Sequence, residues 1–232
     1  MKSKTPKILH QIGGTSMIGH ALAAAAALNP RELVAVVRHQ RDLVADHILS
    51  LSGSLGTTPV IADQDEVPGT GRAVQCGLEA LAAAPAAGGI SGTVVVTYGD
   101  VPLLTTELLA ELVQTHEADS NAVTVLTALL ADPAGYGRIL RDTDGSVAGI
   151  VEHKDATDAQ RQLNEVNSGI YAFDGAVLTT ALAQVTTDNA QGEMYLTDVL
   201  QIARAAGGRV AAVTTTDQWQ VEGANDRVQL SQ

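Results

Sequence analysis

The chain has 232 residues, 45% of them hydrophobic and 17% charged, with one cysteine and a formal net charge of −12, enough for one large or two small domains around a buried core. No apolar run reaches the roughly 18 to 20 residues of a membrane span and no charged-then-apolar leader opens the chain, so a cytoplasmic protein without a membrane partner is expected; Cys76 alone forms neither a disulfide nor a cysteine zinc site and reads as a buried helix residue. The acidic surplus disfavours nucleic acid, whose binders need a basic face, yet permits an anionic nucleotide where a divalent cation and a few Lys, Arg or backbone N–H groups reverse the local field, and so predicts a metal-assisted site.

In chain order, helical spacing of apolar residues predicts helices over 17–28, 41–51, 71–84 and 107–117, the last capped by Thr105 or Thr106. Apolar runs at 33–37, 59–62, 93–97 and 123–130 alternate with them as strands. Such alternation implies an α/β fold with a mostly parallel sheet covered on both faces. Residues 138–141 and 147–152, separated by Asp142-Thr143-Asp144-Gly145, read as a β-hairpin inserted into that sheet. A helical 155–162, a strand at 165–173 and helices at 175–184 and 193–206 follow, with no internal repeat and no linker that would divide the chain.

Three constellations carry chemistry. The apolar strand Val94-Val95-Val96 runs through Thr97-Tyr98 into Gly99-Asp100. A carboxylate at the carboxyl end of a strand is well placed for a metal, and equally well placed to cap a turn before Pro102. Next, Gln64 leads to Gly69-Thr70-Gly71, where glycines open a helix and aim free N–H groups outward for an anion or polar ligand, or simply make a strand-to-helix turn. Finally, Gly135-Tyr136-Gly137-Arg138, Val151-Glu152-His153-Lys154-Asp155, Glu165-Val166-Asn167-Ser168-Gly169, Glu193-Met194-Tyr195-Leu196-Thr197-Asp198 and Glu222-Gly223-Ala224-Asn225 set short donors and acceptors at element ends, as recognition of a polyhydroxylated sugar requires. The six histidines show no metal or triad spacing and read as structural or surface residues.

In this order these segments, with Pro6-Lys7 and His10 near the start, resemble the uridylyltransferase domain of the bacterial N-acetylglucosamine-1-phosphate uridylyltransferases, the N-terminal half of a bifunctional enzyme, over essentially the whole chain. The resemblance implies a Rossmann-like nucleotidyltransferase domain over 1–232 and the reaction of UTP with N-acetylglucosamine 1-phosphate to UDP-N-acetylglucosamine and pyrophosphate, a cell-wall precursor step. By resemblance, Lys7 contacts the phosphates and Gln64, Gly69 and Thr70 hold the uracil. Tyr98 and Gly99 line the cleft, and Asp100 and Asn225 bind Mg2+. Gly137, Glu152 and Asn167 recognise the sugar, with Glu193, Tyr195 and Thr197 nearby; Lys7 and Asp100 are the expected catalytic pair.

The sequence departs from the family pattern in ways that shape the expectation. The glycine-rich phosphate loop and the strand before it, which sits mid-sheet in the family, are missing, as is the C-terminal left-handed β-helix, so no acetyltransferase activity is expected and the oligomeric state is left open. Arg72 stands where the family usually has His, Pro68 where an apolar residue is common, and Asp226 where a second Asn is usual. Two alternatives accompany the uridylyltransferase reading: a sugar-nucleotide-binding remnant without catalysis, and a related nucleotidyltransferase using another nucleoside triphosphate.

Overall fold

Residues 5–83 and 90–224 are described by the computed structural model. A 3-10 turn, Lys7–Leu9, leads into a small hairpin of β1 (Gln11–Ile12) and β2 (Thr15–Ser16). Gly13 and Gly14 form its two-residue turn at φ +58° and +87°, the left-handed backbone that tight hairpins demand. Ser16 then caps α1 (Met17–Ala26), its Oγ accepting the Gly19 N–H at 3.1 Å.

The next stretch alternates strand and helix as its apolar periods predict: β3 (Val34–Val37), α2 (Arg41–Ser50), α3 (Ser52–Leu55), β4 (Val60–Asp63), α4 (Thr70–Ala82), β5 (Thr93–Val96) and α5 (Thr106–Ala118), the last capped by Thr105. Then come β6 (Val123–Leu129), the hairpin β7 (Arg138–Arg141) and β8 (Val147–Val151), α6 (Asp158–Arg161), β9 (Glu165–Asp174), α7 (Gly175–Leu182), α8 (Asp198–Ala205) and β10 (Val210–Thr215).

The main sheet runs β10-β6-β9-β7-β8, with β5 also paired to β9. It is mixed, where strand and helix alternation reads as mostly parallel. β10 and β6 are parallel, while β9 is antiparallel to β5, β6 and β7. The reversal follows from the connections, since the β7–β8 hairpin returns without a crossover helix and one turn of α6 separates it from β9. Alternate side chains of β9 fill two cores: Tyr171 and Phe173 pack with Leu178, Val199 and Leu200 of α7 and α8, while Ile170 and Ala172 pack with Leu109 and Leu112 of α5.

β3 and β4 form a separate two-stranded parallel sheet. Among the described residues no strand pairs with the second edge of β3 or of β5, and an apolar slot of about 610 Å³ is lined by both strands together with residues of α1 and α4. Val36 is 37% exposed for that reason, although its neighbour Val37 is buried.

Four further features differ from sequence expectation. Helix is absent from 193–197, because the Met194 backbone is bonded instead to Pro68 O (2.9 Å) and Gly71 N (2.8 Å). The predicted helix over 155–162 contracts to one turn with a Thr157/Gln160 capping box. β10 and the β1–β2 hairpin carry no clear apolar alternation and arise from pairing.

Candidate active site

A cavity of about 760 Å³, lined largely by polar residues, lies where β9 changes partners. The end of β9 from Tyr171 to Asp174 pairs with β5, its beginning at Val166 with β7. Between them β9 bends: Ser168 Oγ donates to Leu126 O at 2.7 Å and accepts from Ile170 N at 3.1 Å, and Gly169 adopts φ +80°. The Tyr98 ring, just beyond β5, seats on this bend so closely that a Cβ at Gly169 would lie 2.1 Å from it. The cavity therefore opens in the fork between the carboxyl end of β5 and the amino end of β7.

On the β7 side, Gly137, Glu152 and Asn167 converge. A Cβ at Gly137 would stand 3.4 Å from Glu152 Oε2 and 3.5 Å from Asn167 Cβ, so glycine keeps the space between carboxylate and carboxamide open. Asn167 Oδ1 accepts from Gly169 N and Tyr171 Oη, both at 2.9 Å. Because a backbone N–H can only donate, the amide is oriented and its NH2 is the end left for a ligand. Glu152 accepts the Thr197 hydroxyl at 3.2 Å on Oε1. Burial pushes the Glu152 carboxyl above the usual range, against the Thr197 hydrogen bond and with help from Asp155, Asp198 and Glu193. The pair thus presents a reluctant anion and an amide donor, a match for a ligand bearing both hydroxyl or amide N–H groups and a carbonyl.

On the β5 side, Asp100 lies in the cavity wall, and Lys7 Nζ donates to its Oδ2 at 2.5 Å; both side chains remain more than a quarter exposed. The backbone of 223–224 closes over the same carboxylate: Ala224 N donates to Asp100 O at 3.1 Å, and a Cβ at Gly223 would meet Asp100 Oδ2 at 3.3 Å. Asn225, the second expected metal ligand, lies outside the described residues. No group of three His, Cys, Asp or Glu side chains among the described residues forms a metal cage. Asp100, partly exposed in the cavity wall, could hold a hard divalent cation that keeps several waters and completes its shell with ligand oxygens.

Tyr98 joins the two ends. Its hydroxyl is hydrogen-bonded to the Thr70 side chain, and burial, followed by the Glu152 and Asp100 charges, pushes its pKa up to about 12. Tyr98, Asp100, Gly137, Glu152 and Asn167 all line the one cavity, whereas Thr70 and Gly99 line the apolar slot and Gln64 and Gly69 line neither. The Gly-Thr-Gly turn also differs from the outward-facing donor set read from sequence. Gly71 N–H is taken by Met194 O, and a Cβ at Gly69, where φ is +115°, would fall 2.3 Å from that oxygen. These glycines allow close backbone packing first.

Asp132, Gln218, Tyr136 and Glu222 also line the cavity and were not singled out as site residues. Burial, then the Glu222 and Asp100 charges, raises the Tyr136 pKa. Tyr136 and Glu222 stand inside motifs that signal the site; Asp132 reads as ordinary turn chemistry before Pro133, and Gln218 carries no local signal.

A family model for nucleotidyl transferases matches residues 2–225. The bifunctional protein GlmU of Paenarthrobacter aurescens (strain TC1) is 68% identical over 231 residues, covering 100% of this chain and 45% of that protein. Bifunctional protein GlmU of Mycolicibacterium gilvum (strain PYR-GCK) is 53% identical, with 100% and 45% covered. The chain thus spans somewhat less than half the length of these curated relatives. Among solved structures, the nucleoside-diphosphate-sugar pyrophosphorylase from Vibrio cholerae RC9 superposes with a TM-score of 0.73 at 17% identity, covering 94% of this chain and 86% of that one. A UDP-glucose pyrophosphorylase complexed with UDP-glucose gives 0.72 at 16%, with 91% and 83% covered. Both share the fold.

Proposed function

Because the chain belongs to the nucleotidyl transferase family, we propose that it transfers the uridylyl group of UTP to N-acetylglucosamine 1-phosphate, giving UDP-N-acetylglucosamine and pyrophosphate. The observation that carries this reading is one cavity lined both by Asp100, which Lys7 contacts, and by Gly137, Glu152 and Asn167. The first has the charge for phosphates and a cation; the second has the donor and acceptor for an acetamido sugar. The motif order through the chain supports the same substrates.

In this reading a phosphate oxygen of the sugar phosphate attacks the α-phosphorus of UTP. The new P–O bond forms as the bond from that phosphorus to the bridging oxygen breaks, and pyrophosphate leaves with the electron pair. The attacking phosphate is already anionic, so no serine, cysteine or general base is needed, and catalysis is positioning with charge neutralisation. Lys7 donates to the phosphates, and Asp100, with Asn225, would hold Mg2+. The bound cation would reduce repulsion between the reacting anions. Gln64, Gly69 and Thr70 hold the uracil, and Tyr98 and Gly99 shape the passage towards the sugar. Glu152 accepts from the sugar or its amide, while the Asn167 NH2 donates to a carbonyl or hydroxyl.

The test is pyrophosphate release together with UDP-N-acetylglucosamine formation from UTP, N-acetylglucosamine 1-phosphate and Mg2+. Product formation with UTP and little with CTP or GTP is expected. Equal use of CTP or GTP would reassign the nucleotide, and sugar-nucleotide binding without pyrophosphate release would reduce the protein to a binding module.

A further inference from the structure

Segment 64–69, between β4 and α4, carries the residues assigned above to the base, and its conformation is held by a clamp outside the cavity. Arg72, in the first turn of α4, directs Nε and Nη2 to Asp65 Oδ2 at 2.9 and 2.7 Å, and Nη1 to Glu79 Oε1 at 2.9 Å. Its side chain is only 18% exposed, and these hydrogen bonds raise its pKa further, Asp65 first and Glu79 second. The guanidinium is fixed at both ends: one edge on the segment, the other on a residue two turns along a rigid helix.

Asp65 passes that constraint inward. Its Oδ1 accepts the Val67 N–H at 3.0 Å, and Val67 O in turn accepts from Gln64 Nε2 at 3.2 Å. Gln64 Nε2 also donates to Gly69 O at 3.1 Å. Both N–H groups of the carboxamide are thereby spent on the segment's own carbonyls, so Oε1 is the polar atom Gln64 retains for a ligand. Placed opposite the base's N3, such an acceptor favours uracil, which has N3–H there, over cytosine, whose N3 is itself an acceptor and whose donor sits at the exocyclic N4.

We propose that Arg72, acting through Asp65, is a positioning residue that fixes the Gln64 carboxamide in the orientation selecting a uracil-type base. This inference rests on the base assignment made under the proposed function. It adds a specificity role for an ion pair on the outer side of the segment.

The test is titration of the full chain with UTP and with CTP, for the wild type and for Arg72→Ala, Arg72→Lys, Asp65→Asn and the Asp65→Asn/Arg72→Ala double variant. Arg72→Ala and Asp65→Asn are each expected to weaken UTP binding roughly tenfold and to narrow the UTP-over-CTP ratio. The double variant should lose no more than either single one, because both cut one path. Lysine should restore little, since a point charge cannot span Asp65 and Glu79. Affinity for N-acetylglucosamine 1-phosphate and the thermal midpoint should stay unchanged. Unaltered UTP/CTP discrimination in Arg72→Ala, additive losses in the double variant, or a parallel loss of sugar-phosphate affinity would each overturn the clamp. A wild type with no preference for UTP would instead overturn the base assignment on which it rests.

Discussion

The two regions assigned to substrate, only the first of which lines the cavity, are built by different means. Around Gly137, Glu152 and Asn167 the chain folds back on itself through antiparallel β7, β8 and β9, and the side chains that face the ligand space are already oriented by neighbours: Asn167 by Gly169 and Tyr171, Glu152 by Thr197. Around Gln64, Gly69 and Thr70 the support is a two-stranded parallel sheet, an ion-pair clamp and a borrowed backbone contact with Met194. Antiparallel pairs close locally, whereas a parallel strand needs a partner supplied by a distant segment. Preorganisation is therefore local in the first region and distributed in the second.

The largest expected effect falls at Asp100, in the cavity wall beside Lys7. Asp100→Ala should cut turnover by roughly 10²–10³-fold or more by removing the carboxylate that faces Lys7 and that is proposed to hold the cation. Near-normal Mg2+-dependent rates in that variant would sink the assignment of Asp100 as metal ligand.

Glycine substitutions separate folding from recognition within the antiparallel end. Gly169→Ala should cost about 3 kcal/mol, combining left-handed backbone strain with a clash against the Tyr98 ring, and is read by chemical denaturation. A Cβ at Gly137 would meet Ile150 Cγ2 at 3.3 Å, which a small shift of that side chain relieves, so Gly137→Ala should cost much less stability than Gly169→Ala while sugar-phosphate affinity falls. A stable Gly169→Ala, or an unimpaired Gly137→Ala, would break the distinction.

Valine truncations compare the two sheets directly. Val125, fully buried in the main sheet, should cost about 2 kcal/mol as Ala, whereas Val36, 37% exposed beside the slot, should cost less than about 0.5 kcal/mol. Equal losses would mean that the slot is filled in solution.

The smallest effect is on pH. His116 is buried, with Nδ1 3.1 Å from Thr124 Oγ1, and burial lowers its pKa from 6.5, against a raising influence of Asp174 and Glu117. Above that value both folded and unfolded states are neutral and its contribution is intact. As pH falls below it the unfolded state takes the proton first, and stability declines until the folded-state pKa is passed. His116→Gln should flatten this part of an acid stability curve, and an unchanged slope would remove His116 as its source.

Periodicity made most of the fold legible, because apolar spacing at 17–26, 70–82 and 106–118 and apolar runs at 34–37 and 123–129 are local properties of the chain. What it missed depends on distant partners: β10 exists through its parallel pairing with β6, and 193–197 leaves helix to bond with Pro68 and Gly71. The site divides the same way. Asp100, Glu152, Asn167 and Gly137 sit in short polar motifs at element ends, whereas Asp132 and Gln218 reach the cavity only because the chain brings their segments to it. Glycines 69 and 71 were visible, but their close approach to Met194 was not.

The slot between β3 and β5 also sets a clock on the backbone. Amides inside β6 and β9, paired on both sides, should exchange with solvent only through global opening, while amides on the edges of β3 and β5 that no strand among the described residues pairs have no ladder to break first. The protein should therefore show two populations of exchange rates divided along this slot, and an extended segment seated there would draw the fast population onto the slow scale.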